Sequence, residues 1–399
     1  MRKSLVFAAL VAVGMTASAQ KEVVKQAERE VKGNDFATAL KTIQPALTDP
    51  STAEVQEAWY WAGKAANGVY DGVYLKESTG QNPSKDEKKV GGMALLDAVK
   101  YYKKTLSLPD EKGKLPGKRN KDAEKILVSL YPQLRNAGIF LLNAGDYPAA
   151  YEAWEEYINY PANPVFGDKV VADPDTIQGQ IEFYQAIAML SANDNKTALM
   201  KLNDVDKKGY SNIDVYRYGI EAANRIGDND GIQEFAKKGY DKFGTQDIIF
   251  IGQLINGRLA AGDYDGCRVL VDQAIAQTPA DNASILSQLY DILGNVNEQG
   301  GKIDEAVNNF SKAIEIAPQY GKGYFDKARM IYNTAIKQDE LSDGTQARDV
   351  TAELLEAADL FKKAYELDNT LTQIPNVLYR LYYRLGKGYE QDAEYWQNQ

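Results

Sequence analysis

Residues 301–318, GKIDEAVNNFSKAIEIAP, constrain the fold of this chain more than any other stretch. Ala306, Phe310 and Ala313 fall four and three residues apart, so they share one face of a helix, and Pro318 closes the segment. Upstream, Tyr290, Leu293, Gly294 and Asn297 show the same periodicity, and Gly300-Gly301 breaks the chain between the two runs. Two short antiparallel helices, each with one apolar face, make a helical hairpin. Glycine or alanine at the crossing lets their backbones approach closely. Such a unit buries its apolar face only against neighbours, so it implies an array.

At these residues the sequence resembles the tetratricopeptide repeat family, whose unit of about 34 residues has a W-x2-L-G-x2-Y first helix and an A-x3-F…P second helix. The second-helix pair, a small residue followed four later by a large apolar one, occurs at Ala39/Ile43, Ala98/Tyr102, Ala150/Trp154, Ala198/Leu202, Gly231/Phe235, Cys267/Val271, Ala306/Phe310 and Ala357/Phe361. Ala393 with Trp396 fits more loosely. First helices precede them, most clearly at Trp59/Gly63, Leu134/Gly138, Val215/Gly219 and Tyr324/Ala328. Turn phrases recur too: GNDF at 33–36 and AGDY at 144–147 and 261–264. The expected fold is all-α, a right-handed superhelical solenoid of about nine tetratricopeptide-like hairpins without strands.

Several repeats exceed the family period. The excess falls at 68–91, 108–120, 161–176 and 339–345, where turn formers and lysines concentrate. Insertions in a solenoid become loops or lengthened helices, so the N-terminal third should be the most decorated. The fifth repeat departs most, with Gly231 in the small slot and Lys238 where a small residue is usual. A weak repeat is the simpler reading of it; a bend between two arrays is the other.

Residues 1–19 read as a secretory signal peptide rather than as part of the fold. Arg2 and Lys3 lead an apolar run from Leu5 to Val13, and Ala17-Ser18-Ala19 offers a cleavage site. The solenoid is then expected over 20–399. The style of the signal suggests a bacterial exported protein, periplasmic or extracellular. A lipoprotein would carry cysteine at the cleavage point, where Ala19 and Gln20 stand instead. No later stretch has the length and apolarity of a transmembrane segment. Removing the leader takes two basic residues from a net charge of −10, leaving −12. That balance argues against nucleic acid as a partner. The single cysteine, Cys267, allows no internal disulfide, so packing must stabilise the fold.

The chain has no histidine, which removes Ser-His-Asp and Cys-His catalysis and most zinc sites. Cys267 stands in a repeat's small-residue slot, where a buried thiol acts as a small hydrophobe. GDNDG (227–231) and GDYDG (262–266) imitate calcium loops, but the first ligand positions would be Ile226 and Ala261, and the acids suit N-cap duty better. EQGGK (298–302) lacks the earlier glycine and the strand of a phosphate loop. A hydrolase built only from carboxylates is the minority reading. No catalytic residue, cofactor or metal is expected.

In tetratricopeptide proteins the first helices line the binding groove. Carried onto this chain, the resemblance places Tyr216, Ile220, Asn224, Asn256, Asp291 and Asn295 there, with Phe325, Arg329, Tyr332, Asn333, Arg380, Tyr383 and Arg384 toward the C-terminus. With Asn143, the asparagines would form a ladder able to donate to and accept from a peptide backbone. Satisfying helix turns is their equally weighted alternative. Arg329, Arg380 and Arg384 among aromatic residues suggest a carboxylate-reading patch. The lysine–asparagine pattern of the family's own carboxylate clamp is not reproduced. Residues 85–125 carry 12 basic and 7 acidic residues, most simply a solvated lysine-rich segment.

The reading is a non-enzymatic protein- or peptide-binding scaffold of the bacterial cell envelope, its partner's identity and its own oligomeric state left open. The alternative is a glycan-binding protein similar in architecture to starch-utilisation outer-membrane binding proteins. The 26 tyrosines would supply sugar-stacking surface, and a flat cluster of exposed aromatics would favour it.

Overall fold

The computed structural model describes residues 19–340 and 349–399. The expected signal peptide thus lies almost wholly outside the described residues, as does most of the 339–345 insertion. Among the described residues there are eighteen α-helices and no strand. In chain order they form nine successive pairs: α1 (19–32) with α2 (Phe36–Thr48), α3 (Gln56–Ser78) with α4 (Lys85–Ser107), and α5 (Asn120–Ala144) with α6 (Tyr147–Asn159). Next come α7 (Asp175–Ser191) with α8 (Asn195–Lys207), then α9 (Ile213–Ile226) followed by α10 (Asn229–Phe243), and α11 (Ile248–Ala260) with α12 (Tyr264–Gln277). The last three are α13 (Ala283–Gln299) with α14 (Ile303–Ile316), α15 (Gly321–Glu340) with α16 (Thr351–Leu367), and α17 (Ile374–Leu385) with α18 (Glu390–Gln397). No described helix is long and apolar enough to cross a membrane.

Each small–large pair read from the sequence falls on the second helix of a hairpin. Ala39, Ile43, Ala98, Tyr102, Ala150, Trp154, Ala306 and Phe310 are fully buried, as is Cys267, whose thiol burial pushes up in pKa. The crossing glycines do what the hairpin reading requires. A Cβ on Gly63 would stand 2.8 Å from the Tyr102 ring, one on Gly138 2.2 Å from Trp154, and one on Gly294 2.5 Å from Phe310. These separations are below any normal carbon contact, so only glycine permits the approach. Burying one such aromatic contributes about 1.5–3 kcal/mol, which makes these crossings the main cohesive elements of each unit.

The turns inside the hairpins share one construction. Asn34, Gly145, Asn193, Gly227, Gly262 and Gly301 adopt positive φ (61° to 84°), ending the first helix. The amide one residue later donates back to the carbonyl five residues earlier, at 2.9 Å for Asp35, Asp146, Asp194 and Asp263 and 2.8 Å for Lys302. The same aspartates then cap the second helix. Asp228 accepts from the Gly231 amide at 2.9 Å and Asp263 from the Gly266 amide at 2.8 Å. The acids of GDNDG and GDYDG therefore serve as N-caps.

The described helices gather into two compact units, one ending at Gly227 and the other running from Asp228 to Gln399. The boundary lies between α9 and α10, in the repeat with the most divergent sequence. In the first unit the 68–91 insertion lengthens α3 and α4 to 23 residues each, with a short turn closed by the Ser84–Glu87 capping box. The 108–120 segment is mainly a loop, pinned by Gln56, whose amide nitrogen donates to Leu108 O (2.9 Å) and Asn120 Oδ1 (2.7 Å). The 161–176 segment reaches α5 through a stack of rings, Phe166 on Tyr160 (4.6 Å) and Tyr160 on Tyr131 of α5 (5.7 Å). In the second unit, separate apolar clusters form around Val271 and Leu289, around Phe310, and around Phe361 and Leu378.

Candidate functional site

The helices expected to carry binding residues are the first of each hairpin. In the second unit α13 and α15 are successive first helices and pack against each other directly. Their seam holds a charged cluster that helical spacing alone did not reveal. Asp291, midway along α13, is 1% exposed, and Asp326 of α15 is 5% exposed. The Lys322 ammonium donates to Asp291 Oδ2 at 2.6 Å and also to Asp326 Oδ2. Tyr320, in the turn before α15, donates its hydroxyl to Asp291 Oδ2 at 3.3 Å. Asp291 Oδ1 is buried with no hydrogen-bond partner among the described residues.

One turn along α15, Arg329 closes its fork on Glu298, with Nη1 and Nη2 at 2.9 and 2.6 Å from the two carboxylate oxygens. It also donates to Asn295 Oδ1 (3.1 Å) and Asp326 Oδ1 (3.3 Å). Glu298 and the neighbouring acids hold the guanidinium pKa up against burial. Burial pushes the Asp291 carboxyl up to about 6, helped by the Asp326 charge and opposed by Lys322. Burial works against the charged Lys322, yet Asp291 and then Asp326 hold its pKa above the ordinary value.

The remaining expected groove residues divide into three kinds. Tyr216 and Ile220 are core residues, with the Tyr216 hydroxyl donating to Asp206 at 2.5 Å, and Asp291 is buried in the seam; this corrects the expectation that these three line an open face. Phe325 and Tyr332 are half-buried and pack on Phe361 of α16, at ring separations of 5.7 and 6.5 Å. Asn295 spends its amide on the Asp291 carbonyl (3.0 Å) and its oxygen on Arg329. Exposed residues make up the third kind: Asn143 and Asn224 in the first unit, Asn256 and Asn333 in the second, and Arg380, Tyr383 and Arg384 on α17.

The three α17 residues stand at i, i+3 and i+4 and so share one face. Tyr383 is 72% exposed, and its ring lies 6.0 Å from that of Tyr379. Arg329 sits on α15, which packs chiefly on α13, α14 and α16, whereas α17 packs chiefly on α16 and α18. Its fork is already closed on Glu298.

A second feature escaped sequence reasoning. In the first unit, a cleft of about 430 Å³ opens between residues 54–57 and the loop before α5. Gln56, Glu57, Lys112, Lys118 and Arg119 are among its lining residues. Arg119 lies over the Tyr60 ring (4.6 Å) and pairs with Glu57 (2.9 Å). The basic composition of 85–125 was the only trace of it in the sequence.

No family model matches the chain, and no curated protein matches it. Among solved structures the chain is similar to the C-terminal part of a TPR repeat-containing protein from Cytophaga hutchinsonii. That pair shares 14% identity at a TM-score of 0.41, over 65% of this chain and 92% of that one. MamA from Desulfovibrio magneticus RS-1 is also similar, with 16% identity, a TM-score of 0.34, and coverage of 48% of this chain and 96% of that one. The all-α repeat itself rests on the crossings and turns described above, in which this chain resembles the tetratricopeptide family.

Proposed function

We propose that the chain is a non-enzymatic scaffold of the bacterial cell envelope that binds a protein or peptide along its first-helix faces. The observation that carries this reading is the exposed α17 face of Arg380, Tyr383 and Arg384. A large aromatic ring held 72% open to solvent between two arginines is the composition of a binding hot spot rather than of a solvated helix. The arginines offer forked donors to a partner's carboxylates, and the tyrosine offers rigid contact area. Asn295 and Arg329 serve as internal struts of the α13–α15 seam, whereas Asn224 in the first unit and Asn256 and Asn333 in the second are exposed and able to meet a peptide backbone.

The test places a photo-crosslinking residue at Tyr383 in the full chain within cells and identifies what is captured. A protein captured from the envelope, bound at least about tenfold more weakly by the Arg380→Ala/Arg384→Ala chain, supports the reading. No protein captured, together with retention on a glycan array, would replace it with glycan binding. Unchanged affinity of the double variant would remove α17 from the binding face.

A further inference from the structure

The seam between α13 and α15 holds one more negative charge than its cations neutralise. Arg329 closes its fork on Glu298 and reaches Asp326 Oδ1 with Nε at 3.3 Å, while Lys322, the one cation at Asp291, is shared with Asp326; three carboxylates, Asp291 and Asp326 almost wholly buried, thus meet two cations. Sharing leaves Asp291 Oδ1 with no donor among the described residues. A buried anion without a full set of partners is costly, and the cheapest remedy is a proton.

We propose that Asp291 and Asp326 form a proton-operated clasp between the seventh and eighth hairpins, which tightens the α13–α15 seam when the surroundings acidify. A proton from solvent binds the Asp291 carboxylate. The resulting O–H can donate to Asp326, whose carboxyl lies within hydrogen-bonding reach, while Lys322 remains paired with Asp326. The buried excess charge disappears and no group is left unpaired.

The groups acting on Asp291 are Lys322 and Asp326 from α15 and Tyr320 from the preceding turn. Several cations on the helices packed around the seam have contacts of their own. Arg258 of α11 pairs with Asp263 and Arg268 of α12 with Asp265, while Lys312 of α14 lies over the Tyr290 ring and Lys327 of α15 faces Glu356 of α16. Because the folded chain binds this proton more readily than the unfolded chain, the stabilisation is complete below the ordinary carboxylate range. It is lost as pH rises through about 6.

The experiment follows unfolding of the full chain by heat and urea between pH 7.5 and 5.0, alongside carboxyl-carbon NMR of the aspartates. The unfolding constant of the wild-type second unit should fall at least about tenfold across that window. Asp291→Asn should flatten the dependence, and Lys322→Met, which removes the shared cation, should move its midpoint to higher pH. An Asp291→Asn chain with the wild-type slope would overturn the clasp. If that variant does not fold, the wild-type NMR decides: an Asp291 carboxyl titrating near 6 supports the clasp, and one titrating below about 4.5 overturns it.

Discussion

The second hairpin and the seventh are built on the same crossing at different lengths. α3 and α4 run 23 residues each, whereas α13 and α14 run 17 and 14. In both, a glycine on the first helix meets a fully buried aromatic on the second: Gly63 against Tyr102, and Gly294 against Phe310. Further glycines of the second hairpin allow close approaches within it and to the neighbouring helices α2 and α5. A Cβ on Gly68 would stand 2.2 Å from Phe36, one on Gly91 2.9 Å from Val73, and one on Gly92 2.5 Å from Leu141. Helix length is therefore free to vary, while the crossing that sets the interhelical approach is fixed. The hairpins also differ in one atom. Phe310 buries no polar group, whereas the Tyr102 hydroxyl is buried with no partner among the described residues, and burial raises its pKa far above the ordinary value.

The comparison can be broken most directly at Phe310. Phe310→Ala should destabilise the second unit by about 3–5 kcal/mol, read from urea unfolding midpoints, because a rigid crossing cannot collapse around the void. Gly294→Ala and Gly63→Ala should each cost about 1–3 kcal/mol by overpacking. Equal costs would show that the crossing is indifferent to hairpin length, and a smaller cost at Gly63 would show that the longer hairpin yields. Tyr102→Phe should sharpen the single-atom difference by stabilising the first unit by about 1 kcal/mol, since it removes an unsatisfied hydroxyl without changing the packing. Smallest is the cap: Asp263→Ala should cost about 0.5–1 kcal/mol, with hydrogen exchange accelerated in the first turn of α12.

Much of the fold was legible because the hairpin is a local device. Small and large residues four apart, and aspartates after a glycine or asparagine, act within one helix or one turn. What escaped depends on neighbours distant in sequence. Gly68 and Gly91 read as turn formers, yet they lie inside helices where another side chain presses on the backbone. Tyr216 and Ile220 have the spacing of a groove face, but that spacing does not tell which side of α9 meets α8. Arg329 looked available to a ligand because nothing in its own helix showed that Glu298, on α13, would occupy its fork. The exposed trio on α17 was legible, since i, i+3 and i+4 spacing is again local.

The turns carry a consequence for how the chain comes into being. A left-handed residue, a backward amide bond and, in most hairpins, a capping aspartate all fall within about six residues, so a turn can close as soon as its two helices leave the ribosome. Contacts this short in sequence cost little loop entropy and form quickly. Each new hairpin then needs only the one made before it to shield its apolar side. Within each compact unit synthesis then proceeds as a zipper, and the newest hairpin always has one flank waiting for its successor.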